Sequence, residues 1–276
     1  MRFDLEPFRI RPGETVSLAG HNPAETQGFT DAEHEEAAKA QLDVIVERID
    51  ELQERMYAEG KKGLLVVLQA MDAGGKDSTI RKVFGGLNPQ GVVVSSFKAP
   101  SKIELAHDYL WRIHQRAPGK GYIGLFNRSH YEDVLIVRVH GWASPETIEK
   151  RYDHINAFEK LLADEGTKVV KIMLHISKEY QLERFRRRLK RPDKHWKFNP
   201  DDLKERELWD GYMRAFEIAL ERCSTEQAPW YVIPAEARWF RDVAVAQLIH
   251  DTLEAMNPQY PEPGFDPAEY GPELLK

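Results

Sequence analysis

The chain has a single cysteine, Cys223. That excludes an intrachain disulfide and any zinc cluster built from several thiolates, and a lone thiol of this kind is expected to be buried and inert. Basic residues are outnumbered: 39 Lys and Arg against 45 Asp and Glu give a formal charge of −6. This argues against general nucleic-acid binding but leaves room for a local basic groove. No run of ~18 apolar residues occurs, so no transmembrane helix is expected. The first ten residues, MRFDLEPFRI, lack an apolar h-region, so a secretory signal is not expected there, and a cytoplasmic setting is. Internal repeats and low-complexity tracts are missing as well.

What is present suits one large α/β domain: 276 residues, 42% hydrophobic and 10% aromatic. Residues 1–29 show no clear periodicity and read as an N-terminal arm or loop. Thr30 and Glu33 have capping-box spacing, and Leu42, Ile45, Ile49, Leu52 and Met56 then recur in steps of three and four, which predicts a helix to about Glu59. That stripe could face the sheet or another subunit. Leu64–Gln69 is a continuous apolar run, as expected for a strand buried on both faces of a parallel sheet. Val92–Phe97, Tyr122–Phe126, Val169–Ile176 and Trp230–Ile233 are four further strand candidates. Ser101 with Glu104 predicts a helix carrying Ile103, Ala106, Leu110 and Ile113. Ser144-Pro145 predicts another N-terminus, and Trp239, Val243, Ala246, Ile249 and Leu253 form a further helical stripe. The alternation implies a mostly parallel sheet of about five strands between helical layers. The domain is expected to span 30–257, followed by a proline-rich tail over 258–276.

In such a sheet the ligand site lies beyond the carboxyl ends of the strands. The first candidate strand runs into Ala70-Met71-Asp72-Ala73-Gly74-Gly75-Lys76-Asp77-Ser78. Gly75-Lys76 match the phosphate-loop pattern, whereas Ala70 replaces its first glycine and Asp77 its Ser/Thr. Glycines let backbone N–H groups approach phosphate oxygens, the following helix adds its positive end, and Lys76 supplies a point charge. Asp72 and Asp77 would repel phosphate unless a cation lay between them, and Mg²⁺ prefers oxygen ligands of this kind. The bland alternative is a glycine turn with surface aspartates.

Asn127, Arg128, Ser129, His130, Tyr131, Glu132 and Asp133 crowd a second strand end. Asn127 occupies the slot of a Walker-B acid. Arg128 can clamp phosphate through its fork, Glu132 can position an acceptor or a second metal, and His130 is read as a structural histidine. Further on, Arg184, Arg187, Arg188 and Arg191 share one face of a predicted helix, with Lys194 and Lys197 following. A solvated helix face is one reading. A lid over about 178–205 that closes on phosphates is the other, favoured by the phosphate loop already found. Six basic side chains in so short a segment suit an extended polyanion.

Together AMDAGGKD (70–77), FKAPS (97–101), FNRSHYED (126–133) and RFRRR…RPDKHWK (184–197) resemble the polyphosphate kinase 2 family, over about residues 33–255. The resemblance implies a P-loop kinase-like three-layer α/β/α fold, similar to thymidylate kinases, with a helical lid. It implies phosphoryl transfer between inorganic polyphosphate and adenine nucleotides, with guanine nucleotides as further acceptors, and Mg²⁺, or Mn²⁺ in its place. By motif, Asp72 matches a metal and acceptor-phosphate residue, Lys76 the phosphate lysine and Arg128 the arginine after the Walker B position. Arg184 and Arg188 match the lid arginines, with Lys194 and Lys197 on the polyphosphate side. Ala73, Gly74, Gly75, Asp77 and Ser78 belong to the phosphate loop. Asn127 departs from branches with aspartate there and resembles the branch acting on both AMP and ADP. A homo-oligomer is expected. An ATP-dependent monophosphate kinase and a non-catalytic phosphate-binding protein are the rival readings.

Overall fold

The computed structural model describes residues 2–266, 269, 270 and 274. Six strands form one sheet: β1 (Arg9–Ile10), β2 (Gly63–Gln69), β3 (Val92–Ser96), β4 (Ile123–Asn127), β5 (Thr167–His175) and β6 (Trp230–Pro234), in the order β1-β6-β5-β2-β4-β3. All neighbours are parallel except β1, which pairs antiparallel with β6 through Arg9 opposite Tyr231 and Ile10 opposite Trp230. β2 lies between β4 and β5 and is buried at all seven residues, as its unbroken apolar run requires. From β2 the chain goes out to β3 at one edge, returns to β4 beside β2, and crosses to β5 on the other side. The neighbours β2 and β5 send their following connections in opposite directions, to β3 and to β6, so the carboxyl end of β2 borders the crevice that such sheets form.

The helices are α1 (Ala32–Glu59), α2 (Lys76–Val83), α3 (Lys102–Leu105), α4 (Trp111–His114), α5 (Ile136–Val139), α6 (Pro145–Asp164), α7 (Lys178–Leu189), α8 (Asp201–Glu207), α9 (Trp209–Cys223) and α10 (Arg238–Met256). α1 begins one residue later than the Thr30 reading implied. Asp31 is its N-cap, its carboxylate accepting from the His34 amide at 2.8 Å. Ile45, Ile49 and Met56 of its stripe are buried in this chain, and α1 packs on α10. Ser144 caps α6 as expected, with Pro145 in its first turn.

Two expectations change. The Ser101–Glu104 capping box forms, but its helix stops at Leu105. The Asp108 carboxylate accepts from the Leu110 amide at 3.0 Å, turning the chain, and α4 restarts at Trp111. Ile103 and Leu105 are consequently exposed, not part of a continuous stripe. The single stripe expected on α10 is instead buried all round, from Phe240 to His250, because α1 and the N-terminal segment cover its other sides.

Residues 1–29, read as an arm, supply β1 and core side chains. Phe3, Phe8, Ile10, Val16 and Leu18 are buried, and the Phe3 and Phe8 rings lie 4.5 and 5.9 Å from Phe240. The chain leaves α10 through Asn257 (φ 49°), and Tyr260 lies 6.0 Å from Arg55 of α1. Pro267 and Pro272 of the tail lie outside the described residues. Cys223 is buried, and burial pushes its thiol up to about 12, in line with an inert role. Among the described residues no helix is long and apolar enough to cross a membrane.

Since Phe8 is a core residue, Phe8→Ala should cost about 3–5 kcal/mol in urea unfolding. A loss near zero would return the segment to the status of a loose arm.

Candidate active site

The phosphate loop joins β2 to α2. Ala73 (φ 64°) and Gly75 (φ 103°) take left-handed conformations, and Gly75 is the N-cap of α2. A Cβ at Gly74 would lie 2.6 Å from Ala70 Cβ and 2.9 Å from the Met71 carbonyl oxygen. The first-glycine position thus tolerates alanine because the Ala70 methyl uses space that the bare Gly74 leaves open. Lys76 is nearly buried, and its ammonium donates to the Ala70 carbonyl at 2.9 Å. Burial, then the neighbouring Arg128, lower its pKa against the pull of Asp72, Glu132 and Asp77. An arriving phosphate would favour the charged amine.

At the end of β4, Arg128 has a positive φ of 62° and its amide donates to the Leu68 carbonyl of β2 at 3.1 Å. Its guanidinium reaches Asp72 at 2.8 Å and Glu132 at 3.4 Å. Burial opposes that charge, but Glu132 and Asp72 outweigh it and the pKa is raised. Glu132 also accepts from Gln69 at 3.1 Å. The Asn127 amide donates to the Asp77 carboxylate at 2.8 Å, tying the end of β4 to the first turn of α2. The Ser78 hydroxyl donates to the Gly75 carbonyl at 2.8 Å. His130 is fully buried on Glu159, the structural role expected of it.

The arginine-rich segment comes over this loop. Ser177 caps α7. The Gln181 amide donates to the Asp72 carbonyl at 2.9 Å, fixing α7 to the phosphate loop. Gln181 and Phe185 are the buried residues of α7, so Leu189 is exposed whereas Arg184 and Arg188 are partly covered. Arg188 donates to the Lys197 carbonyl at 3.1 Å and lies 3.6 Å from Asp202 of α8. Lys197 sits 3.8 Å from Asp77. Lys194 instead pairs with Asp193 at 3.1 Å. Partial burial and the neighbouring arginines 238, 187 and 188 lower the pKa of Arg184, with Tyr180 opposing.

Two residues not singled out from sequence stand here. Arg241 of α10 is buried, donates to Asp242 and Ser78, and lies 2.2 Å from where a Cβ on Gly75 would be. A charged pair directly before the apolar run Val243–Ala246 was the signal available for it. Asp202 carries no such signal. Burial, then the Asp72 carboxylate, push its carboxyl up to about 6 against Arg188 and Arg128.

For a divalent cation, Asp72 and Asp77 offer hard oxygen donors, and Asp77 is 71% exposed. Among the described residues the one preassembled set of three potential ligands is His250, Asp251 and Glu254 on α10, not the loop carboxylates. Sparse protein ligation is what Mg²⁺ accepts, since it keeps waters and substrate phosphates as its other ligands. The donor set therefore fits.

A glycine loop with a buried lysine at the sheet's reversal point, closed over by an arginine-bearing helix, belongs to the phosphoryl-transfer enzymes of P-loop kinase type. The family model for polyphosphate kinase 2 matches residues 31–261, and the chain belongs to that family. Its kinases generally need a divalent metal. The AMP/ADP-polyphosphate phosphotransferase of Meiothermus ruber is 50% identical, with 94% of this chain and 96% of that protein covered. The ADP-polyphosphate phosphotransferase of Rhodopseudomonas palustris is 42% identical, covering 95% and 94%. The crystal structure of polyphosphate kinase 2 from Arthrobacter aurescens TC1 superposes with a TM-score of 0.92 at 46% identity, over 97% of this chain and 95% of that one.

Two predictions come from this geometry. Gly75→Ala should abolish phosphate binding measured by calorimetry, because a side chain would need both a strained φ and the place of the Arg241 guanidinium. Retained affinity would show that the loop can relax. Asp202 and Asp133 are both pushed to about 6 in the folded state. Folding then holds their protons more tightly, so their stabilising contribution is full below the ordinary value of 3.8 and lost as pH rises through about 6. Ionisation of Asp202 also charges the tether on Arg188. Asp202→Asn should remove an inflection near pH 6 from kcat/KM, while Asp133→Asn keeps it. Substrate phosphate titration is common to both variants. An inflection that persists in Asp202→Asn assigns it elsewhere.

Proposed function

We propose that this protein transfers a terminal phosphoryl group from inorganic polyphosphate to AMP and ADP, giving ADP and ATP, with Mg²⁺ as the metal. The observation that carries this reading is the cationic track that continues past the phosphate loop. It begins at Lys76 and Arg128 and runs through Lys197 and Arg188 to Arg184 and Arg187 along α7. Arg184, Arg187 and Arg188 lie within five consecutive residues of α7, roughly 6 Å along its axis at 1.5 Å per residue, and with Lys197 they carry positive charge past the loop, as suits a chain of phosphates. The name of the Meiothermus relative, which covers both acceptors, supports the AMP and ADP assignment. Asn127 at the end of β4 supports it through the resemblance.

The chain's groups divide the work. Loop amides and Lys76 hold phosphates at the head of α2. Arg128, now neutralised by Asp72 and Glu132, turns its fork to the transferred group when phosphate enters. Arg188 and Lys197 bring further charge and, with α7 and α8, exclude water. Mg²⁺, held by Asp72 with substrate oxygens, would neutralise charge between donor and acceptor. Positioning and electrostatics supply the catalysis, so no covalent enzyme intermediate is required.

Incubating the protein with Mg²⁺, long-chain polyphosphate and AMP should give ADP and then ATP by chromatography. Asp72→Asn and Lys76→Ala should each lower the rate by roughly 10²–10³. ADP formed with ATP as donor, and none with polyphosphate, would replace this reading with an ordinary monophosphate kinase.

A further inference from the structure

Behind the 127–133 turn lies a fully buried charged cluster. Glu159 of α6 and Lys171 of β5 form an ion pair at 1% and 0% side-chain exposure. The Lys171 ammonium also donates to the Tyr131 hydroxyl at 2.9 Å and to the Cys223 carbonyl, so all three of its donors are used. Glu159 Oε1 accepts from the Tyr131 hydroxyl at 2.9 Å and lies 3.1 Å from His130 Nε2. An ionised carboxylate only accepts, so Nε2 carries the imidazole proton. Burial lowers the pKa of His130 and keeps it neutral despite Glu159. Burial raises that of Glu159, but Lys171 and His130 together outweigh it and the carboxyl stays ionised.

Buried ion pairs are poor stabilisers, since apolar residues of similar volume often do as well or better. The geometry of this one points to another use. His130 and Tyr131, the two residues it grips, lie between Arg128 and Glu132. Arg128 occupies a left-handed conformation, which persists for a non-glycine residue only where its surroundings over-determine it. On one side its amide is held by Leu68 of β2. On the other, the buried Ser129 hydroxyl accepts from the Tyr131 amide at 3.1 Å, and Tyr131 and His130 are fastened to Glu159 and Lys171. With both sides pinned, the Arg128 fork spans Asp72 and Glu132.

We infer that Glu159 and Lys171 are positioning residues for phosphoryl transfer: by clamping His130 and Tyr131 they fix the left-handed backbone of Arg128, the base from which its guanidinium can swing from Asp72 and Glu132 to the transferred group. The inference rests on the proposed function for the role of Arg128, and on the hydrogen-bond network for the clamp.

The test is a double-mutant cycle on the 276-residue protein, with kcat and KM measured alongside thermal unfolding. Glu159→Gln removes the charge while keeping the shape. Tyr131→Phe removes one hydroxyl and leaves the ion pair, so it decides the matter if Glu159→Gln does not fold. Each is made alone and with Arg128→Lys, and assayed well below its unfolding temperature. Each alone should lower kcat roughly 10- to 100-fold, the scale of a misplaced catalytic group, with KM for AMP within about twofold. In the Arg128→Lys background the further loss should shrink to about twofold or less, because the effect passes through that side chain. Equal losses in both backgrounds, or unchanged kcat in the folded single variants, would overturn the inference. Should the wild type use ATP and not polyphosphate, the donor assignment fails while the same cycle, run with ATP, still decides the clamp.

Discussion

Lys76 is an ammonium group with almost no access to water, and much of the structure around it makes that placement tolerable. Among the described residues its direct acceptor is the Ala70 carbonyl, a weak partner for a full charge. Three carboxylates, Asp72, Glu132 and Asp77, favour its charged form from a distance. Two of them are also engaged by Arg128. The site therefore holds cations and anions in near balance, paired with one another. On the proposed function, an arriving phosphate would exchange these pairs for charge-assisted ones of its own, which would let an acidic protein take up a polyanion.

That balance depends on backbone as much as on charge. The loop amides are available because Gly74 and Gly75 have no side chains, and the two glycines are backed by Ala70 and Arg241 respectively. Arg241 puts a second buried cation behind the loop, shared with Ser78 and neutralised by Asp242. The loop thus has two buried cations against it, Lys76 on the Ala70 carbonyl and Arg241 on Ser78, with Asp242 neutralising the second.

The arginine-bearing helix is attached to this loop, not simply hung beside it. Gln181 holds the Asp72 carbonyl, and Lys197 lies near Asp77. Asp202 links α8 to Arg188, and Glu205 accepts from the Tyr212 hydroxyl at 2.6 Å while pairing with His140 at 3.0 Å. Movement of the loop aspartates on binding a ligand would therefore be felt directly by α7 and α8, the physical route by which occupancy can couple to closure.

Much of the architecture was readable from local pattern. The five-residue apolar run Leu64–Leu68, between Gly63 and Gln69, suits a strand buried on both faces, a Gly-Gly-Lys after it marks a phosphate loop, and Ser177 and Ser144 mark helix starts through their own side chains. These are properties of neighbours in the chain, set by steric and hydrogen-bonding preferences acting over a few residues. The Thr30 cap and the extended 101–113 helix were misread for the same reason, since Asp31 and Asp108 offered stronger local acceptors than the spacing alone suggested. What tertiary structure decided joins residues far apart. Arg241 meets Ser78 across 163 positions, β1 completes the sheet by pairing with β6, and Asp202 comes near Asp72 only when α8 folds over the loop. Glu159 and Lys171 read locally as a polar helix position and a lysine interrupting a strand, and only burial turns them into a pair. The sequence by itself determined which chemistry the loop carries, because that chemistry is written in contiguous residues. Which charges oppose, support or aim it was decided by the packing of distant elements, where burial removes water and makes each unpaired group costly.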